Sequence, residues 1–380
     1  MITTLAVANY RSLRDLAIPL GRLTLVTGAN GSGKTSLYRA LRLLAEIAQG
    51  RLAATLAGEG GFGSALWAGP ETIGRAMREG RVPVQGTVRS GPVSLRLGFS
   101  GESYGYAIDL GMPSPENPFP LDPVIKGEAM WTGERLSRVS LFAERRNAFV
   151  RLRASDTGAW RDAMDDLSPF DSMVTHCADP ADGFELLAMR ERMRDWRFYD
   201  ALRTDPDAPA RRPGLLTYTP VLASDGADLG AAIATIRAIG DAAALDRTIE
   251  VAFPGSRLEG DPAGLKLRQH GLLRPLGPSE LSDGTLRFLL LTAALLSPRP
   301  PELMVLNEPE ASLHPALMPP LAELLNTAAR QTQIVLVSHS AALVEALRAT
   351  GGCAEVRLDK SFGETQAPDC ERPVWTWPKR

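Results

Sequence analysis

Leu23-Thr24-Leu25-Val26-Thr27, running into Gly28-Ala29-Asn30-Gly31-Ser32-Gly33-Lys34-Thr35, is the stretch whose reading decides the fold. The first five residues are apolar or β-branched and predict a buried strand. The following loop carries three glycines and opens into Ser36-Leu37-Tyr38-Arg39-Ala40-Leu41-Arg42-Leu43-Leu44, where apolar residues recur at helical spacing. Strand, loop and helix in this order are the setting that the phosphate-binding pattern G-x-x-x-x-G-K-[ST] requires. The glycines let the backbone curl until successive N–H groups point at phosphate oxygens. The helix N-terminus adds partial positive charge at the same place. Lys34 is expected to reach the β- and γ-phosphates and the Thr35 hydroxyl to ligate Mg²⁺, with Asn30, Gly31, Ser32, Gly33 and Ser36 completing the cradle. A chance glycine-rich turn is the alternative, and the flanking strand and helix argue against it. The stretch predicts a nucleoside-triphosphate site.

Composition narrows the class. The chain has 380 residues, 44% of them hydrophobic, and a formal charge of −2, which gives no push toward nucleic acid or membrane. Five of the 42 basic residues are Lys; the arginine excess suits phosphate contacts, but genome composition is the preferred explanation. Cys177, Cys353 and Cys370 form no C-x-x-C pair and fit a reducing cytoplasm. Met1 to Leu5 lacks the regions of a signal peptide, and the apolar run Phe288 to Leu296 is about half the ~20 residues a membrane span needs. A soluble, cytoplasmic protein with no membrane contact is expected.

Outward from the loop, residues 2–8 and 16–20 read as a hairpin that would bring Asn9 to Arg14 beside the phosphate loop. Gly58 to Gly69, with Trp67, reads as loop. Residues 82–110 alternate as an antiparallel meander through Val82, Val84, Gly86 and Val88, then Val93 to Phe99, then Tyr104 to Ile108. The five prolines of 111–123 predict irregular chain. Strands are expected at 128–142 and 147–153, mostly helix over 160–205, and a loop from Asp205 to Pro213. In the helical stretch the arginines alternate with acids, the pattern of a solvated, salt-bridged face. An alanine-rich helix is expected at 228–247, with short strands at Ile249–Phe253 and Gly264–Leu267. The tail beyond 360, with Trp375 and Trp377 among prolines, fits no pattern.

After residue 275 two buried strands are separated by a helix at 316–329. Glu302 to Leu306 runs into Asn307-Glu308-Pro309-Glu310, and Gln333 to Val337 ends at Ser338-His339-Ser340. Such alternation implies a parallel sheet with its site at the carboxyl ends of the strands. Glu308 is placed to polarise water or hold Mg²⁺, and His339 to sense a γ-phosphate; either residue alone would be an ordinary strand end.

These motifs together resemble the ATP-binding-cassette class of ATPases, in the soluble branch with RecF and the SMC proteins, and in particular the compact bacterial RecF-like proteins called AAA family ATPases. Gly28 to Thr35 matches Walker A, Leu281-Ser282-Asp283-Gly284-Thr285 the signature, Leu303 to Glu308 Walker B, Ser312-Leu313-His314-Pro315 the D-loop and His339 the switch histidine. Arg11 resembles the N-terminal nucleotide contact. Both ends of the chain are covered; residues 50 to 270 match weakly. The resemblance implies an α/β fold: a P-loop NTPase with a mostly parallel sheet, an antiparallel β subdomain and a helical insertion. It divides the chain into 1–50 and 271–360 for the ATPase head, 51–270 for the insertion and 361–380 for a tail. It also implies ATP and Mg²⁺ as cofactors and a head-to-tail homodimer in which Ser282 and the Gly284 backbone complete the partner's γ-phosphate site. Taken alone, Leu-Ser-Asp-Gly-Thr is an N-cap before an apolar helix. A Q-loop glutamine belongs near Gly60 to Glu71, and no residue there is assigned.

One departure matters. Asn307 stands where the class has the Walker B aspartate, and a neutral amide holds Mg²⁺ and its waters weakly. Either Glu308 and Glu310 suffice and turnover is slow, which is the favoured reading, or ATP is bound as a switch with little hydrolysis. For function, an ATPase acting on DNA in repair or defence competes with a regulatory switch that engages a toxin or effector protein. A transporter subunit fits poorly because of the long insertion. The absence of heptads argues against a long SMC arm, and the short stretch after His339 leaves no room for the nuclease domain that overcoming-lysogenization-defect proteins append.

Overall fold

The computed structural model describes residues 1–82, 91–200, 202–212, 214–261 and 264–379. The chain forms two compact units, one of Met1–Gly21, Val26–Asp195 and Val356–Arg380, the other of Arg22–Leu25 and Trp196–Glu355.

In the first unit β1 (Ile2–Tyr10) and β2 (Leu13–Pro19) form the expected hairpin, longer than the sequence suggested because pairing runs from Thr4–Pro19 to Tyr10–Leu13. The expected apolar run is β3 (Leu23–Gly28), and the phosphate loop delivers it into α1 (Lys34–Ala48). Three short helices follow, α2 (Leu52–Gly58), α3 (Phe62–Ala65) and α4 (Arg75–Arg78). The Gly58 to Gly69 segment is thus more than loop: Phe62 and Trp67 are buried, the Trp67 indole N–H donating to the Pro70 carbonyl at 3.0 Å. Val84, Gly86 and Val88 lie outside the described residues. The meander continues as β4 (Leu95–Gly101), β5 (Tyr104–Gly111), β6 (Val124–Thr132), β7 (Leu141–Arg146), β8 (Phe149–Arg153) and β9 (Trp160–Met164).

With β1 and β2 these strands build an eight-stranded antiparallel sheet among the described residues, in the order β2-β1-β4-β5-β6-β7-β8-β9. The strand expected at 128–142 is two strands, because the chain turns at Gly133 with φ 72°, a conformation glycine adopts freely. The helical expectation for 160–205 is also corrected. Trp160 to Met164 pair with β8, and helix is confined to α5 (Met173–His176) and α6 (Phe184–Asp195). A ladder partner outweighs local propensity there. The helix face does carry the expected ion pairs, Arg190 and Arg194 with Glu191.

The tail finds its place on the antiparallel sheet. Trp375 and Trp377 pack against Ala107, Ala129 and Trp131. A Cβ at Gly98 would sit 2.7 Å from the Trp375 ring, so that glycine is the slot the indole fills. Beneath β6 and β7 the fully buried Arg145 and Glu128 pair at 3.1 Å. Glu128 also accepts from the Tyr106 hydroxyl at 2.6 Å and the Met173 N–H at 2.8 Å, while Arg145 donates to the carbonyls of Asn147 at 2.6 Å and Ser168 at 2.7 Å. Burial, and then the Glu128 charge, push the Tyr106 phenol far above its ordinary value.

In the second unit β10 (Arg197–Tyr199), β13 (Leu303–Asn307) and β14 (Gln333–Val337) are parallel, as the alternation implied. The Ile334 N–H donates to the Arg22 carbonyl at 2.7 Å beside Leu23 and Leu25. The expected helix at 228–247 is two, α7 (Leu229–Ile239) and α8 (Ala242–Ala252), split where Gly240 ends the first and the Asp241 carboxylate accepts from the Ala244 N–H to start the second. Ile249–Phe253, expected as strand, is therefore the end of α8: a short apolar run cannot by itself distinguish strand from buried helix. β11 (Arg257–Asp261) pairs with β12 (Gly264–Arg268). At the centre lies α9 (Asp283–Leu295), buried at every residue from Thr285 onward, with α10 (Met318–Ala328) and α11 (Ala341–Thr350) completing the unit. Among the described residues no helix is long and apolar enough to cross a membrane.

Removing one partner of a buried ion pair leaves the other uncompensated. Arg145→Met is expected to cost about 3–5 kcal/mol in urea unfolding. Arg146→Met, an exposed neighbour that pairs with Glu144, should cost under about 1 kcal/mol.

Candidate functional site

Three loops carry the residues singled out by sequence. The first is the phosphate loop of the first unit. Gly28, Gly31 and Gly33 have φ of 147°, 79° and 109°, all open to glycine and strained for other residues. Two of the three are also sterically enforced. A Cβ on Gly28 would lie 2.3 Å from the Leu358 carbonyl oxygen, and one on Gly33 would lie 2.2 Å from Thr365 Oγ1. Gly31 has open space around it. These contacts come from a C-terminal hairpin, β15 (Ala354–Ser361) and β16 (Glu364–Gln366), which no sequence signal announced. The buried Lys34 ammonium is folded onto its own loop, donating to the carbonyls of Gly28 at 2.6 Å and Ala29 at 3.1 Å. Asn30, Gly31 and Thr35 are exposed, and Ser36 is half-buried. Ser32 Oγ is buried with no hydrogen-bond partner among the described residues. A glycine-lined curl, a lysine at its mouth and a partnerless hydroxyl inside it suit a triphosphate with Mg²⁺.

Arg11 lies at the β1–β2 turn with φ 51°. Its guanidinium pairs with Glu59 at 2.8 Å, and the buried Tyr10 hydroxyl donates to the same carboxylate at 2.8 Å. Burial, then the Glu59 charge, push the Tyr10 phenol far up. Arg11 is thus held by Glu59, an acid the sequence reading did not consider. The Gly60 to Glu71 neighbourhood expected to hold a Q-loop residue contains no glutamine.

The second loop, in the second unit, follows β13. Glu308 adopts φ 49°, unusual for a residue with a side chain, and its N–H donates to the Val337 carbonyl at 2.8 Å. Strain of this kind persists where the surroundings enforce it and clusters at functional sites. His339 Nδ1 lies 3.2 Å from Glu308 Oε1, so the two expected catalytic side chains meet at the ends of adjacent strands, both about half exposed. Asn307 is half-buried and sits opposite Val337 in the β13–β14 ladder.

Glu310 is the residue that holds this loop. Its buried Oε1 accepts from the Ser338 hydroxyl at 2.6 Å and from the N–H groups of His339 and Ser340 at 3.2 Å each. Arg287, the one charged residue in the buried part of α9, donates to the Glu308 carbonyl at 3.1 Å. Burial lowers its pKa, and the Glu310 charge offsets part of that. A lone arginine inside an apolar helix was the signal that could have found it.

The third loop is the signature. Ser282 caps α9, its Oγ accepting from the Thr285 N–H at 3.2 Å, and both Ser282 and Asp283 are exposed. A Cβ on Gly284 would sit 2.9 Å from the Ser312 carbonyl, so this glycine lets the helix start approach the D-loop. Within that D-loop, the His314 ring nitrogen accepts from the Ala316 N–H at 3.2 Å. Arg211, far off in sequence, stitches the signature together: it donates to the Leu281 carbonyl at 2.8 Å and pairs with Asp283 at 2.6 Å.

Comparisons with known proteins match two segments of the chain to ATPase families. Residues 170–345 match the family described as "AAA domain, putative AbiEii toxin, Type IV TA system", and residues 1–53 match the AAA ATPase domain family. A stretch of 44 residues is 48% identical to the OLD nuclease of Thermus scotoductus (strain ATCC 700910 / SA-01), covering 12% of this chain and 8% of that protein. Similar solved structures include an SMC head bound to the C-winged helix domain of ScpA, with a TM-score of 0.48, 13% identity and 96% of each chain covered. The SMC head domain from Thermotoga maritima has a TM-score of 0.44 at 14% identity, covering 96% of this chain and 97% of that one. An SMC head with an extended coiled coil, bound to the C-terminal domain of ScpA and derived from Pyrococcus furiosus, has a TM-score of 0.48 at 12% identity, with 96% and 95% covered. The chain is similar to AAA-family ATPases over two separate segments, and Gly28 to Thr35, Leu281 to Thr285 and Leu303 to Glu308 fall inside them.

Glu310→Ala would leave the N–H groups of His339 and Ser340 and the Ser338 hydroxyl without their acceptor. A loss of about 2–3 kcal/mol is expected, with faster amide exchange at 338–340. Glu310→Gln, which keeps an acceptor oxygen, should retain most of the protection.

Proposed function

We propose that the protein binds ATP with Mg²⁺ and hydrolyses it slowly, as a head-to-tail dimer closed by the nucleotide. The observation that carries this reading is the 3.2 Å approach of His339 to Glu308 at the ends of β13 and β14, in a chain that also holds a complete phosphate loop. Lys34 exchanges its carbonyl partners for the β- and γ-phosphates. Thr35 in the first unit, and Glu308 with, more weakly, Asn307 in the second, are the side chains that would ligate Mg²⁺, which would neutralise phosphate charge. Glu308 takes the proton of the attacking water, and His339, seated beside it, contacts the γ-phosphate. Exposed Ser282 and the N-terminus of α9 suit a role on the partner's nucleotide. Asn307 in place of a carboxylate supports slow turnover.

For the biological role, DNA repair or defence against foreign DNA follows from the RecF-like motifs. The second reading, a switch that engages a protein effector, is favoured by the −2 charge and by the toxin named in the matched family's description. DNA retention falling steeply between low and moderate salt would support the first reading; no retention at low salt supports the second.

Light scattering of Glu308→Gln with and without ATP–Mg²⁺, beside phosphate release by the wild type, tests the ATPase. A dimer trapped by ATP together with wild-type turnover is the expected result. No dimer and no turnover would overturn the hydrolytic reading.

A further inference from the structure

The phosphate loop is shaped from outside by a residue that none of its motifs contains. Thr365, in β16, is almost fully buried. Its N–H donates to the Ser12 carbonyl at 2.8 Å, its Oγ1 lies 2.8 Å from Ser12 Oγ, and the same hydroxyl donates to the Ser32 carbonyl at 2.8 Å. Its side chain occupies the space a Cβ would need at Gly33. Thr365 therefore touches the β1–β2 turn and two consecutive residues of the phosphate loop.

The geometry assigns to Thr365 the role of a positioning residue for nucleotide binding, a proposal that rests on the ATP-binding reading above. A loop that cradles phosphate must turn its N–H groups inward, which turns its carbonyls outward and in need of donors. The Ser32 carbonyl has its donor in Thr365. That bond resists rotation of the Ser32–Gly33 peptide, a rotation that would aim the Ser32 carbonyl at a phosphate oxygen. The hairpin carrying Thr365 is itself held on both sides. Leu358 of β15 abuts Gly28, and after β16 the tail is anchored by the Arg372–Asp15 pair at 2.8 Å and by Trp375 in the slot at Gly98. A nucleotide that stiffens the phosphate loop will therefore also stiffen β16.

Thr365→Val keeps the shape and deletes the hydroxyl, and Thr365→Ser restores it. Affinity for a fluorescent ATP analogue with Mg²⁺ is expected to fall about tenfold in Thr365→Val, to return close to wild type in Thr365→Ser, and to be lost in Lys34→Ala. Unaltered affinity in Thr365→Val, or equal losses in Val and Ser, would overturn the role while leaving the ATP reading in place. Unaltered affinity in Lys34→Ala would instead remove the ATP reading itself. Should Thr365→Val fail to fold, hydrogen exchange of the wild type decides: added protection over 358–366 with ATP–Mg²⁺ supports the role, and protection confined to 28–40 overturns it.

Discussion

The close approach of the C-terminal hairpin to the phosphate-loop glycines is the constraint on which the candidate nucleotide site depends. Gly28 and Gly33 are glycines for two reasons at once. Their φ values suit the curl, and the Leu358 carbonyl and the Thr365 side chain occupy the places where a Cβ would stand. Without this support a loop so rich in glycine would have many conformations of similar energy. With it, one conformation is selected before any ligand arrives. Pre-paid order of this kind is what allows a loop to spend little binding energy on being ordered.

The loops of the second unit are held by a different device, buried charge. Glu310 gathers the Ser338 hydroxyl and two backbone N–H groups, Arg287 gathers the carbonyl beside Glu308, and Arg211 gathers the signature loop. Each of these groups would be costly if left without partners. A loop that supplies the partners is therefore bound to one shape, and the candidate residues Glu308, His339 and Ser282 are placed by neighbours that are themselves largely shielded from solvent. Glu308 stores strain at φ 49° because the loop around it is so strongly determined.

The antiparallel sheet shows the same economy of means with apolar groups. Gly98 and the alanines at 107 and 129 leave a shallow floor, and two tail indoles lie on it. Arg96 of β4 lies over the Trp377 ring, 6.0 Å from its centroid, adding a cation–π contact on the sheet face. The tail that had no local pattern is thus ordered by what it lies against.

Sequence alone determined the parts whose signals are local. A strand, a glycine loop and a helix in register specify Gly28 to Thr35; a five-residue apolar run followed by acids specifies β13 and Glu308; an N-cap before an apolar run specifies Ser282 and α9. Each depends on residues within one or two turns of chain. Misplacements came where a local preference met a distant partner: Trp160 to Met164 became strand because β8 pairs with them, and 249–253 became helix because α8 buries Ile249. Only the tertiary structure decided that Glu59 holds Arg11, that Glu310 rather than Glu308 anchors Ser338 to Ser340, and that Thr365 meets Ser32. Those pairs join residues as far as 333 positions apart in the chain, and hydrogen bonds and steric exclusion act over distances of a few ångströms in space, for which no spacing in sequence is a guide.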